Sequence, residues 1–100
     1  MSKPPQMTSH TMKVLEAVIS EPGSSGADIA RRTKMASGTL YPILLRLEGA
    51  GWLESSWEVG SPEALGRPRK RFYRVTAEGA KAVRKIAQEM QPVVGRLAWA

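Results

Sequence analysis

The stretch SGTLYPILLRLEGAGWLE, Ser37 to Glu54, limits what this chain can fold into more than any other. Leu40, Ile43, Leu44 and Leu47 recur at the i, i+3, i+4, i+7 spacing of a helix that buries one face. Gly51 suits the left-handed backbone just past a helix C-terminus, so the pattern predicts a helix over 37–50. Pro42 stands near its start, where proline lacks the N–H that would reach back to Gly38. A helix beginning at Ser37 loses that one bond, and a helix beginning at Thr39 loses none. Both registers stay open. In either, residues 37–39 are small and the first-turn N–H groups have no partner within the helix, which lets the backbone approach an anion such as phosphate.

The flanking segments place this helix third. Residues 1–7 hold two prolines and no apolar periodicity and read as a flexible arm. Thr8 or Ser9 caps a first helix with Thr11, Val14, Leu15 and Val18 inward and Ile19 at the margin, and EPGSSG stops it. Ser25 with Asp28 three residues on is a near-capping-box for a short second helix through Ile29, Ala30 and Thr33. After the third helix, WLESSWEV alternates imperfectly as a strand, with Trp52 and Trp57 expected to pack in the core and hinge. GSPEALGRP is rich in turn residues, and KRFYRVT sets Phe72 and Arg74 against Tyr73 and Val75 as a returning strand. Thr76 then caps a fourth helix with Glu78 in its first turn.

One hundred residues with 42% apolar content make one domain with a modest core. With no cysteine, nothing depends on disulfide or thiolate chemistry, and a cytoplasmic location is expected. No run is long enough to span a membrane, and the N-terminus lacks a signal-peptide core. His10 is the single histidine, and neither a P-loop nor a Gly-x-Ser-x-Gly motif is present, so no enzyme activity, metal or cofactor is expected. The charge is +6, with a pI near 10.2, which is the range of nucleic-acid-binding domains.

The basic residues are clustered. Five of the eight residues from Arg67 to Arg74 are basic, and Arg31, Arg32 and Lys34 precede the third helix. Two short helices with a tight turn, followed by a basic hairpin, are the layout of a winged helix-turn-helix. The fold class is therefore mainly α with a small β-hairpin, in the order helix-helix-helix-strand-strand-helix. The DNA-binding domain spans 8–76 and a dimerisation helix spans 77–100. The expected DNA surface is the recognition helix 37–50 and a basic wing 60–71, in which Arg67, Arg69 and Lys70 count for more than Arg71 and Arg74.

GTLYPILLRLEGAGWL followed by GRPRKRFYRVTAEG resembles the PadR family of bacterial transcriptional regulators over roughly Ser25 to Gly79. The matching parts are Gly38-Thr-Leu-Tyr-Pro42, Leu47-Glu48 with Gly51, and Gly66-Arg-Pro-Arg-Lys70 with Tyr73, Thr76 and Gly79. The resemblance implies that the helix opening with Thr39-Leu-Tyr-Pro is the recognition helix and that the C-terminal helix mediates dimerisation. It implies Thr39 and Tyr41 at the DNA backbone and Arg67, Pro68, Arg69 and Lys70 on the flanking groove. SSGADIA stands where the family's second helix usually opens with tyrosine and glycine, so effector responses are not carried over, and a small aromatic effector stays open.

The expected DNA-binding set is Lys34, Ser37, Gly38, Thr39, Tyr41, Arg46, Arg67, Pro68, Arg69 and Lys70. Two readings stay open for Tyr41, a hydroxyl at a phosphate or a half-buried packing ring, and two for Arg46, a base edge or phosphate or an intrahelical pair. Leu45 projects away from the core and is assigned to a partner helix. Val83, Ile86, Met90, Val93 and Leu97 follow a heptad stripe and are assigned to a homodimer interface completed by the first helix. Pro92 is expected to kink or interrupt that helix. Trp99 either caps the interface or lines an aromatic pocket between protomers, or it belongs to a frayed terminus. The expected function is a homodimeric repressor on a palindromic operator; the alternative is a winged-helix interaction module for an acidic protein partner.

Overall fold

Thr8 starts the first helix by accepting the Thr11 N–H on its hydroxyl, and α1 runs Ser9–Ser20. The computed structural model describes the backbone of residues 7–99 and the side chains of residues 7–89, so most of the N-terminal arm lies outside the described residues. Thereafter come β1 (Ser24–Ser25), α2 (Gly26–Thr33), α3 (Ser37–Gly49), β2 (Leu53–Trp57), α4 (Pro62–Leu65), β3 (Arg71–Val75) and α5 (Ala77–Trp99). Thr11, Val14, Leu15 and Val18 face inward and Ile19 sits half-exposed at the margin, as the periodicity of α1 requires.

Two elements depart from the expected order. β1 has only two residues and adds to the edge of the hairpin, giving a three-stranded antiparallel sheet ordered β1-β3-β2. Ser24 lies opposite Tyr73 and Ser25 opposite Phe72, and the Gly23 N–H reaches the Tyr73 carbonyl at 2.9 Å. A pair of serines carries no apolar alternation, so only the neighbouring strand makes it a strand. α4 forms inside the expected turn, with Ser61 as its N-cap, Pro62 in its first turn and Gly66 left-handed at its end. Those signals stand in the sequence, but four residues are too few to show a period.

The core joins every layer. Leu15, Ile29, Leu40, Leu44, Leu47 and Leu53 are fully buried, each contributing about 1.5–3 kcal/mol relative to exposure. Trp52 is buried as expected, whereas Trp57 is 52% exposed. In the hairpin Leu53 opposes Val75, Ser55 opposes Tyr73 and Trp57 opposes Arg71. This face therefore leads from the core outward to an exposed aromatic ring.

α5 runs from Ala77 to Trp99, so of the kink or interruption expected at Pro92 the interruption does not occur. Proline removes a single i to i−4 bond, and the bonds on either side keep the helix going. Val83 and Ile86, expected in a dimer stripe, are partly buried against the protomer's own core. The side chains of Met90, Val93, Leu97 and Trp99 lie outside the described residues.

The start of α5 is fixed at one point. The Thr76 hydroxyl donates to the Gly51 carbonyl at 2.6 Å and accepts the Gly79 N–H at 3.0 Å, while the Thr76 N–H donates to the Trp52 carbonyl at 3.0 Å. Gly51 holds a positive φ of 81° there, and a Cβ on Gly79 would run into the Trp52 carbonyl oxygen. Gly→Ala inside a helix ordinarily stabilises by about 1 kcal/mol. Here Gly79→Ala is expected to destabilise by about 1–3 kcal/mol in urea unfolding, because backbone must move to admit the methyl group. A variant more stable than the parent would contradict the close approach.

Candidate nucleic-acid interface

The helix-turn-helix begins with the capping box. Ser25 Oγ accepts the Asp28 N–H at 3.1 Å and Asp28 Oδ2 accepts the Ser25 N–H at 3.3 Å. These bonds hold the Asp28 carboxyl below its ordinary range, with Arg31 adding a smaller contribution. α2 ends at Lys34, which adopts the left-handed conformation with φ 57° and turns the chain sharply. Met35 is buried, Ala36 is the N-cap of α3, and the helix starts at Ser37, which settles the register the sequence left open.

Ala36 has no side-chain oxygen, so the first turn of α3 stays uncapped. Thr39 and Leu40 both donate to the Ala36 carbonyl at 3.0 Å, and the Ser37 and Gly38 N–H groups have no acceptor among the described residues. Free donors at the positive end of a 13-residue helix favour an anion. Ser37, Gly38 and Thr39 are all exposed around them.

Tyr41 packs against α2 and keeps an exposed edge. Its ring lies over α2, where a Cβ on Gly26 would stand 2.7 Å from the hydroxyl oxygen, and the residue is still 46% exposed. Gly26 thus makes room for the ring, a pairing between helices that periodicity cannot reveal. Arg46 is exposed and makes no ion pair among the described residues, which removes its intrahelical reading.

The wing is held together by its own charges. Arg67 donates from both terminal nitrogens to the two oxygens of Glu58, at 2.7 and 2.8 Å, and Glu58 also accepts the Lys70 N–H at 3.1 Å. Arg67, expected at DNA, also clasps the base of the hairpin tip. Its NH1 also reaches the Pro68 carbonyl at 3.2 Å. The Arg67 hydrogen bond, then that of Lys70, lowers the Glu58 carboxyl to about 2, and the same pair raises Arg67 above its ordinary value.

The other arginines divide by task. Arg74 pairs across the strands with Glu54 at 2.9 Å, and Arg32 reaches the Ala17 carbonyl at 2.8 Å with Glu21 at 3.3 Å. Arg71 bonds Ser55 at 2.8 Å and Glu48 at 3.3 Å, and Glu48 also accepts the Ser55 hydroxyl at 2.7 Å. This cluster ties the end of α3 to the hairpin. Tyr73, buried on the same face, has its hydroxyl pushed above its usual range chiefly by burial. Lys34, Arg46, Arg69 and Lys70 are left with no ion pair among the described residues, and Arg69 rests 5.5 Å from the Trp57 ring centre, beside Arg71 at 4.9 Å. The acidic partner of Arg74 stands directly opposite it in the hairpin, whereas that of Arg71 comes from α3 and that of Arg67 from the chain just past β2, so the split becomes visible only once the fold is known.

The model of the transcriptional regulator PadR-like family matches residues 17–85. The chain belongs to that family. This PadR-like chain has a winged-helix fold, and among its described residues no helix is long and apolar enough to cross a membrane. No curated protein matches it. Among solved structures it is similar to Bordetella bronchiseptica BpsR, described for the regulation of its DNA binding by 6-hydroxynicotinic acid, at 20% identity and TM-score 0.66, covering 93% of this chain and 63% of that one. It is similar to Streptococcus pneumoniae FabT in complex with DNA at 14% identity and TM-score 0.71, covering 94% and 62%. The smu.1704 protein of Streptococcus mutans UA159 is 30% identical with TM-score 0.67, covering 84% and 77%. The PadR-like chain thus spans less than two thirds of the length of BpsR and FabT.

The clasp sets a pH dependence for the wing. Because the folded pKa of Glu58 is depressed, its contribution is complete above the unfolded value of 4.5 and disappears as pH falls through about 2. In an NMR titration the Glu58 carboxyl is expected to remain ionised through pH 4, and Arg67→Ala to raise its midpoint. A midpoint near 4.5 in the parent would show that the clasp is open.

Proposed function

We propose that this PadR-like chain is a repressor that binds a palindromic operator as a homodimer, with α3 in the major groove and the wing along the flanking backbone. The observation that carries this reading is the uncapped first turn of α3 accompanied by four cations, Lys34, Arg46, Arg69 and Lys70, that no carboxylate of the described residues neutralises. An N-terminus that accepts phosphate fixes register on the duplex, and each phosphate neutralised by Lys or Arg releases counterions. Ser37, Gly38 and Thr39 provide the close approach. Arg67 and Pro68 hold the wing in shape, and Tyr41 fixes α3 against α2. Repression needs only occupancy of a promoter, which stable duplex binding supplies.

Two features support self-association. α5 carries its heptad stripe on through Met90, Val93 and Leu97, beyond the turns whose Val83 and Ile86 cover the protomer's core. Ile19 of α1 is half-exposed beside Val83. A homodimer places two α3 helices on half-sites about one helical turn apart. A small aromatic effector fits the same reading: a concavity of about 430 Å³ between α1, β3 and α5 is lined by Val18, Ile19, Val75 and Val83 and edged by Arg74 and Arg84. The second reading, a module for an acidic protein, is favoured by the exposed Val59 and Trp57 on the wing.

Binding to selected duplexes across a salt series separates the two readings. The DNA reading predicts sequence-specific complexes whose affinity falls steeply with salt, and a slope near zero would remove it. The double variant Arg69→Ala, Lys70→Ala should weaken binding on all sequences and flatten the salt slope by about 2, at roughly 0.9 per phosphate. In sedimentation, Val93→Asp with Leu97→Asp should convert a dimer to a monomer and weaken operator binding about 100-fold or more through lost avidity. A parent protein that is monomeric at high concentration would overturn the homodimer.

A further inference from the structure

The buried residues Leu40, Ile43, Leu44 and Leu47 fix how α3 is turned. At 3.6 residues per turn, the line opposite them runs through Gly38, Pro42, Leu45 and Gly49, and all four are exposed. None carries a side chain that can donate or accept a hydrogen bond. The centre of the outward face is therefore apolar, and hydrogen-bonding side chains stand only on its flanks.

Leu45 is the one large group on this line and is 74% exposed. It cannot turn inward, because the opposite face of the same helix is fully packed. Gly38 and Gly49 have nothing within 4 Å of where a Cβ would stand, so no contact within the protomer requires glycine at either position. Glycine in place of alanine costs a helix up to about 1 kcal/mol per residue. Small residues on both sides of a projecting leucine allow close approach of an outside surface.

The charge around the line identifies that surface. Lys34, Arg46, Arg69 and Lys70 make no ion pair among the described residues, which suits a polyanion. The apolar group that a DNA major groove presents is the C5-methyl of thymine, and aliphatic side chains pack on it. We propose that Leu45 is a specificity-determining residue that selects thymine by packing on this methyl group at one position of each half-site. This rests on the DNA-binding reading above and replaces the partner helix that the sequence suggested for Leu45. Arg46, next along the helix, supplies charge without altering the preference.

The test uses an operator selected by the purified protein, with each thymine replaced singly by deoxyuridine, which removes only the methyl. The parent protein should lose affinity about fourfold at one thymine per half-site, the effect of burying one methyl group. Leu45→Ala, at an exposed position, should keep its melting temperature and bind the thymine and uracil duplexes equally. A parent indifferent to uracil at every position would overturn the proposal. So would a Leu45→Ala variant that keeps the preference, or one that keeps it while losing self-association in sedimentation, which would place Leu45 against a second copy. Failure of the parent to form any saturable duplex complex would instead overturn the DNA reading itself, and the proposal with it.

Discussion

The carbonyl group of Trp52 is the point on which the layout of this protein depends. It accepts the Thr76 N–H, lies against Gly79, and belongs to the residue that follows the left-handed Gly51 at the end of α3. Three elements meet there: α3 ends, β2 begins and α5 begins. The Thr76 hydroxyl completes the junction by bonding Gly51 on one side and Gly79 on the other. Since α3 faces outward with its uncapped turn and α5 leads away from the core, this junction sets the angle between the candidate DNA surface and the candidate dimer helix.

From that junction the hairpin runs outward, and its arginines separate into structural and free groups. Arg67, Arg71 and Arg74 each face a carboxylate, Glu58, Glu48 and Glu54. Exposed pairs of this kind contribute little each to stability. What they do is fix geometry: Glu58 gathers Arg67 and the Lys70 backbone, so that the Arg69 and Lys70 side chains stand at the end of a closed loop. Trp57 serves the same end, with its ring beside both Arg69 and Arg71. A net charge of +6 overstates what is available to a polyanion on this face and understates how well it is arranged.

Much of this was legible in the sequence. The buried faces of α1 and α3, the capping box at Ser25, the glycine stop at Gly51 and the pairing of the two main strands all follow from spacing and turn chemistry. β1 was not legible, because its two serines become a strand only beside β3, and α4 was not, because one turn has no period. At the candidate site, the small residues 37–39 and the wing cations Arg69 and Lys70 stand where charge and pattern put them. The contacts of Tyr41 with Gly26 and of Arg67 with Glu58 were not legible, since these partners are distant in sequence and are brought close only by the fold. Pro92 illustrates the converse, a local signal for a break inside a helix that runs on to Trp99.

The central claim is that the α3 N-terminus and the wing tip together form the DNA surface. Amide chemical-shift mapping with a selected operator duplex tests it most directly. The account predicts that the largest shifts fall on Lys34, Ser37, Gly38, Arg69 and Lys70, where free donors and unpaired cations meet phosphate. Shifts concentrated on α1 and α5, with residues 34–39 and 67–70 unmoved, would contradict it.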